Sequence, residues 1–117
     1  MRIGIDLGGT KIAAVALEED GTQLADFHAL VPRSYAGTRN LLLQAVSDLE
    51  AAADQTANAV GLSMPGAITA AGEVLRAVNL PWMVQQPLKT DLATKLGRPV
   101  GVANDANCFA LSEAYDG

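Results

Sequence analysis

The sequence has few of the residues that build extracellular frameworks and metal centres. It contains one Cys and one His among 117 residues, so it can form no internal disulfide and offers no Cys/His set for structural zinc. No apolar run approaches the roughly 18 residues of a membrane-spanning helix. The first ten residues, broken by Asp6 and a Gly pair, lack the apolar stretch of a signal peptide. These absences predict a cytoplasmic protein with no membrane partner.

Positive charge is also scarce. The chain carries 8 Lys and Arg against 13 Asp and Glu, a formal net charge of −5, without any run of basic residues. Nucleic acids and anionic membranes are bound by clustered basic residues, so neither is an expected partner. Half of the residues are hydrophobic and 18% are charged. This balance predicts a compact fold, because enough apolar surface can be buried to offset the ordering entropy.

The hydrophobic pattern changes between strand and helix periods. Residues 2 to 7 alternate, and after Gly8-Gly9 the run 12–17 is continuously apolar, which is typical of a hairpin whose second strand is buried on both faces. Spacing and end signals predict the remaining elements: a strand over 24–30, an amphipathic helix over 36–54, a buried strand over 59–63, an excursion with a short hairpin over 67–87, a helix over 88–96 ended by Gly97, a buried strand over 100–103, and a last helix from Asn104-Asp105. This βββαβαβα order predicts an α/β fold with a mixed sheet and helices on its faces.

The strongest local motif is Asp6-Leu7-Gly8-Gly9-Thr10-Lys11, where the first strand turns into the second. Two glycines leave backbone N–H groups unobstructed by Cβ atoms, and concave rows of such donors bind phosphates. Thr10 and Lys11 would add a hydroxyl and a cation, and Asp6 would hold Mg²⁺ directly or through water. The spacing is not that of a Walker A loop. A plain Gly-Gly hairpin with an aspartate on its solvent face explains the same residues.

A second motif, Asn104-Asp105-Ala106-Asn107, stands between a buried strand and a helix. Helix capping is the ordinary role of Asn and Asp at such a junction. The same position favours an ionised carboxylate, since a helix N-terminus stabilises negative charge. In phosphoryl transfer a positioned Asp accepts the proton of the attacking hydroxyl, so Asp105 is a candidate general base.

Two further features lie mid-chain. Gly61-Leu62-Ser63-Met64-Pro65-Gly66 follows the pattern of a strand and its end, and in open sheets ligands collect beyond the carboxyl ends of strands. An ordinary strand terminator is an adequate alternative. Asn79 offers an amide that can both donate to and accept from a sugar hydroxyl. Trp82 could stack on a sugar, although a lone Trp is more often a core or interface residue.

The order of these motifs along the chain resembles the N-terminal lobe of the ROK family (repressor, open reading frame, kinase). The resemblance covers essentially the whole chain, residues 1–117. Both the start through Lys11 and the tail from Ala103 to Ala114 look most like bacterial fructokinases and N-acetylglucosamine kinases. The family implies an actin-like, ribonuclease-H-like ATPase lobe, consistent with the predicted element order.

The resemblance also implies an activity and a site. The reaction would be transfer of the ATP γ-phosphoryl group to a hexose hydroxyl, with Asp6 organising Mg²⁺. The residues that would surround the ATP phosphates are Gly8, Gly9, Thr10 and Lys11. Those that would contact the sugar are Gly66, Asn79, Asn104 and Asp105, with Asp105 as the base. The resemblance of the tail favours fructose among the possible hexoses.

Members of this family are about two and a half times as long, and their second lobe carries further sugar ligands, a Cys-rich zinc motif and the adenine pocket. The resemblance therefore predicts a lobe that lacks its C-terminal partner, is inactive alone and belongs to a homodimeric parent. Any zinc would lie in the missing lobe. The alternatives are a sugar-binding ROK transcriptional regulator without catalysis and a lobe that serves only in assembly. Retention of Asp6 and Asp105 favours the kinase.

Overall fold

In the described part of the chain, five strands form one sheet and two helices pack together against it. The computed structural model describes residues 1–63, 67–68, 74–76, 81–83 and 86–103. The strands of the sheet are β1 (Arg2–Leu7), β2 (Lys11–Leu17), β3 (Gln23–Leu30), β4 (Ala59–Ser63) and β7 (Val100–Ala103). A separate small hairpin pairs β5 (Ala67–Ile68) with β6 (Val74–Arg76). The helices are α1 (Tyr35–Ala53) and α2 (Leu88–Leu96), and a short 3₁₀ helix spans Pro81–Met83.

The order of the strands brings several strand ends to one edge. Across the sheet the order is β3-β2-β1-β4-β7. The β1–β2 and β2–β3 pairs are antiparallel, whereas β1–β4 and β4–β7 are parallel. Strands β1, β3, β4 and β7 therefore all end on the same side, which we call the carboxyl edge, and begin on the opposite side, the amino edge.

The core lies between the helices and one face of this sheet. Alternate strand residues such as Ile3, Ile5 and Leu62 are buried there together with Leu42 and Leu49 of α1. Helices α1 and α2 also contact each other. Apolar side chains recur on α1 at helical spacing, so burial of this stripe rather than intrinsic propensity stabilises the helix.

The predicted α/β order is confirmed through β7, and each predicted strand or helix in that part agrees with the structure to within about one residue. Burial of β2 on both faces was a wrong prediction. Ile12, Ala14 and Ala16 are buried, whereas Ala13, Val15 and Leu17 are only half-buried. The reason is that both helices of the described part share one face. The predicted helix from Asn104 onward lies outside the described residues.

An ion pair between Glu50 and Arg98 lies at the amino edge. Near the end of α1, the Glu50 carboxylate accepts a hydrogen bond from the Ala57 N–H at 2.8 Å and pairs with Arg98 at 2.5 Å. Arg98 also donates to the Ala57 carbonyl at 3.3 Å. The two charged side chains are 20% and 19% exposed. This cluster joins α1, the segment entering β4 and the segment entering β7.

Candidate functional site at the carboxyl edge

One row of residues crosses the carboxyl edge from strand to strand. Asp6 of β1 lies opposite Ala13 on one side and opposite Ser63 on the other, and Ser63 lies opposite Ala103 of β7. Asp6 is exposed, whereas Ser63 is buried. Since neighbouring strands lie about 4.8 Å apart, roughly 10 Å separates the backbone of Asp6 from that of Ala103. That separation suits the two sides of a small-molecule site.

The turn between β1 and β2 is closed by a single backbone hydrogen bond. The Gly8 N–H donates to the Lys11 carbonyl at 3.0 Å. A Cβ atom added at Gly8 would lie 3.0 Å from that same carbonyl oxygen. Glycine is needed here because the two backbones approach closely, and not because of a left-handed conformation, since Gly8 does not adopt one.

The hydrogen bonds of this turn decide which of its groups could bind an anion. The Gly8 N–H is used inside the turn, so it is not one of the donors that could face an anion. The Thr10 carbonyl accepts from the Val31 N–H at 2.8 Å, which ties the turn to the end of β3. Within the described ranges, no hydrogen bond engages the N–H groups of Gly9 and Thr10. The side chains of Thr10 and Lys11 are exposed beside them.

The structure brings together one of the two predicted groups of site residues. Asp6, Gly8, Gly9, Thr10 and Lys11 share the carboxyl edge. The predicted sugar ligands fall outside the described residues: Gly66, Asn79, Asn104 and Asp105. In sequence, Gly66 follows Ser63, the last residue of β4, by three positions, and Asn104 directly follows Ala103, the last residue of β7.

A second cluster at this edge was not found by sequence reasoning. Thr38, in the second turn of α1, is completely buried and accepts a hydrogen bond from the Trp82 indole N–H at 2.9 Å. The Arg33 guanidinium lies 5.1 Å from the centre of the Trp82 ring. Trp82 is thus a half-buried packing residue with its N–H bonded. The buried threonine gave no pattern signal, because its partner is distant in sequence.

The first turn of α1 is also joined to α2. The Tyr35 hydroxyl donates to the Asp91 carboxylate. Burial raises the pKa of Tyr35 above its ordinary value, and the hydrogen bond and negative charge of Asp91 raise it further. The phenol therefore stays protonated, and the contact persists, throughout the neutral pH range.

Among residues 1–63, 67–68, 74–76, 81–83 and 86–103, no group of three or more His, Cys, Asp or Glu side chains could hold a metal ion. The carboxylate beside the turn is that of Asp6. In the same ranges no helix has the length and hydropathy to cross a bilayer.

Comparison with known proteins now decides the family. Residues 2–117 match the ROK family. The chain belongs to the ROK family. It is 41% identical over 119 residues to an N-acetyl-D-glucosamine kinase of Salmonella heidelberg, an alignment that covers 99% of this chain and 38% of that kinase. The chain therefore spans about two-fifths of the length of this curated ROK relative.

Solved structures of ROK proteins share the fold. A ROK family glucokinase from Streptomyces griseus, in complex with glucose and AMPPNP, superposes with a TM-score of 0.85 at 35% identity, covering 99% of this chain and 36% of that one. A ROK family transcriptional regulator, a homologue of the Escherichia coli MLC protein, superposes with a TM-score of 0.76 at 23% identity, covering 95% and 29%. The second likeness concerns the fold alone. The predicted actin-like ATPase fold is confirmed.

Proposed function

We propose that this chain forms one wall of the active-site cleft of an ATP-dependent hexose kinase. The observation that carries the proposal is the row Asp6–Ser63–Ala103, which lies beside the turn from Gly8 to Lys11. Carboxylate, backbone N–H donors, hydroxyl and cation thus meet at the edge where strands of an open sheet end. The sugar kinases among the ROK relatives support the same reading.

The turn would hold the phosphates of ATP. In this proposal Gly9 and Thr10 donate their N–H groups, Lys11 supplies a cation, and Gly8 keeps the turn narrow enough for a close approach. Asp6 would hold Mg²⁺, directly or through water. When bound, Mg²⁺ neutralises part of the charge that develops on the transferred phosphoryl group. An exposed carboxylate adjoining a glycine turn fits such an ion.

The sugar would lie beyond the ends of β4 and β7. We assign Gly66, Asn79 and Asn104 to hydrogen bonds with its hydroxyls, and Asp105 to proton acceptance from the hydroxyl that attacks the γ-phosphorus. As the new O–P bond forms, the bond to the β-phosphate oxygen breaks and ADP leaves. Asp105 follows Ala103, the last residue of β7, by two positions in sequence, which supports this assignment.

The remaining parts of the reaction would come from a second lobe. The relatives are longer than this chain, so adenine binding, further sugar ligands, a zinc site and the dimer contacts are proposed for that lobe. Phosphoryl transfer depends on positioning and charge stabilisation from both sides of a cleft. We therefore expect the 117-residue chain alone to turn over slowly or not at all.

The test is a chimera in which residues 1–117 replace the segment that they match in the Salmonella kinase. ADP release is measured with N-acetylglucosamine, glucose, mannose and fructose. Sugar-dependent ADP release that requires residues 1–117 would support the proposal, and preference for fructose would bear on the specificity that the sequence favours. Sugar binding without ADP release would favour the regulator, whose fold this chain shares.

A further inference from the structure

The 3₁₀ helix Pro81–Met83 contacts the start of α1 through the Trp82 side chain. The Trp82 indole N–H donates to the Thr38 hydroxyl at 2.9 Å, and the adjacent Met83 is completely buried. Helix α1 begins at Tyr35, directly after β3 reaches the carboxyl edge at Leu30. The hydrogen bond between Trp82 and Thr38 therefore lies at the same edge as the proposed phosphate turn.

The Thr38 hydroxyl both donates and accepts hydrogen bonds within the protein. It lies 2.8 Å from the Ser34 carbonyl and 3.1 Å from the Pro32 carbonyl, to which its proton donates, while its oxygen accepts from Trp82. The residue is 0% exposed. Replacing the hydroxyl with a methyl group would leave the indole N–H without its partner in a site closed to solvent.

A short path of hydrogen bonds runs from this hydroxyl to the phosphate turn. The Val31 N–H donates to the Thr10 carbonyl at 2.8 Å, and the next residue, Pro32, accepts from Thr38. Two adjacent residues, Val31 and Pro32, thus contact the turn and the Thr38 hydroxyl respectively.

The 3₁₀ helix also limits where Asn79 can lie. Asn79 precedes Trp82 by three residues, and an extended chain spans at most about 3.6 Å per residue. The distance between their backbones is therefore at most about 11 Å. Strand β6 ends at Arg76, three residues before Asn79 in sequence.

We propose that Thr38 and Trp82 are positioning residues, which hold the 3₁₀ helix, two residues after Asn79 in sequence, against the start of α1. The inference rests on the proposed function, in which Asn79 binds the sugar. Neither residue would touch the reacting atoms. Loss of the contact would loosen the attachment of the 3₁₀ helix, which we expect to weaken sugar binding while leaving the ATP contacts in place.

The test compares three variants in the chimera described above. Thr38→Val and Trp82→Phe each remove the hydrogen bond and retain the side-chain bulk, whereas Thr38→Ser retains the hydroxyl. A neutral hydrogen bond is worth about a three- to tenfold change in binding. We expect KM for N-acetylglucosamine to rise by about that factor in the first two, with KM for ATP within about twofold of the original. Thr38→Ser should restore the original value.

Two controls separate positioning from loss of stability. Glu50→Gln weakens the fold at the opposite edge, so its sugar KM should not change. The double variant Thr38→Val/Trp82→Phe should have the KM of either single variant, because both remove the same interaction. An unchanged sugar KM in Thr38→Val, or an equal rise in Glu50→Gln, would overturn the inference.

The sole Trp of the chain gives a readout that needs no activity. In the 117-residue chain, Thr38→Val should shift the fluorescence maximum of Trp82, and Thr38→Ser should not. An unshifted maximum in Thr38→Val means that the contact is absent and overturns the inference by itself. A chimera that phosphorylates none of the four sugars, but shows the fluorescence shift, would instead overturn the proposed function and with it the assignment of this contact to sugar binding.

Discussion

The two edges of the sheet are built from different kinds of residue. At the amino edge, Glu50 and Arg98 are largely buried and bonded to each other and to Ala57. At the carboxyl edge, Asp6 is exposed and stands beside a turn of two glycines. The charged side chains of the pair at the amino edge are thus largely withdrawn from solvent, whereas the Asp6 carboxylate at the carboxyl edge is exposed to it.

Because of this difference, we expect the residues of the two edges to contribute differently to stability and to ligand binding. A partly buried ion pair that also bonds the backbone resists removal of either partner, because the remaining charge would lose its compensation. Exposed polar groups contribute little to stability but are accessible to a ligand. Changes to the Glu50–Arg98 pair should therefore alter unfolding alone, and a change of Asp6 should alter turnover or ligand binding.

The largest expected effect is on turnover. Asp105→Asn in the chimera should lower kcat by about 10²- to 10⁴-fold, since it removes a general base. Sugar binding should be nearly unchanged, because the amide keeps the size and an acceptor oxygen. Steady-state kinetics and a sugar titration measure both quantities. Asp116→Asn is the matched control, and near-normal turnover in Asp105→Asn would refute the assignment of the base.

The next effect belongs to the amino edge. Glu50→Gln should lower the free energy of unfolding by about 2 kcal/mol, because Arg98 keeps its charge but loses a charged partner. Urea unfolding of the 117-residue chain measures this change. Asp48→Asn, at an exposed α1 carboxylate that accepts only from Gln44 among the described contacts, should change stability by less than about 0.5 kcal/mol. Equal losses of unfolding free energy in the two variants would show that the Glu50–Arg98 pair does not stabilise the fold more than an exposed carboxylate does.

A smaller effect on stability is expected in the turn. Gly8→Ala places a Cβ atom 3.0 Å from the Lys11 carbonyl, and relieving this crowding should cost about 1–2 kcal/mol. It should also raise KM for ATP in the chimera. Gly4→Ala is the control, because nothing lies within 4 Å of a Cβ added at that strand position. A Gly8→Ala variant as stable as the original chain would show that the turn can widen freely.

The smallest effect is a pH dependence above neutrality. The pKa of Tyr35 is raised in the folded chain, first by burial and then by Asp91. The unfolded chain therefore releases this proton at lower pH than the folded chain, so stability is full below the ordinary pKa of 10.0 and falls as pH rises beyond it. Urea unfolding at pH 8 and pH 11 should reveal a smaller loss in Tyr35→Phe. An equal loss would contradict the shift.

Some of this architecture could be predicted from the sequence because its signals are local. Alternation in residues 2–7 and the apolar stripe of α1 define their elements without reference to the rest of the chain. The strand-end position of Asp6 followed in the same way. The half-buried second face of β2 could not be predicted, because the run 12–17 is apolar at every position and only the placement of the helices distinguishes its faces.

The contacts that sequence reasoning missed join residues distant along the chain. Thr38 and Trp82 are separated by 44 positions, and Glu50 and Arg98 by 48. None of these residues stands in a motif, and each is ordinary for its element. Their pairing depends on how α1 is oriented against the segments that follow it, which periodicity does not specify.

The most direct test of the contrast between the edges is the Mg²⁺ requirement of the chimera. The Mg²⁺ concentration for half-maximal phosphorylation is measured for Asp6→Asn and, as the amino-edge control, for Glu50→Gln. Loss of a carboxylate that holds or orients a metal costs about 10- to 100-fold in affinity. We predict that Asp6→Asn raises the required concentration by about that factor and that Glu50→Gln leaves it unchanged. An unchanged requirement in Asp6→Asn would contradict the placement of the chemistry at the carboxyl edge.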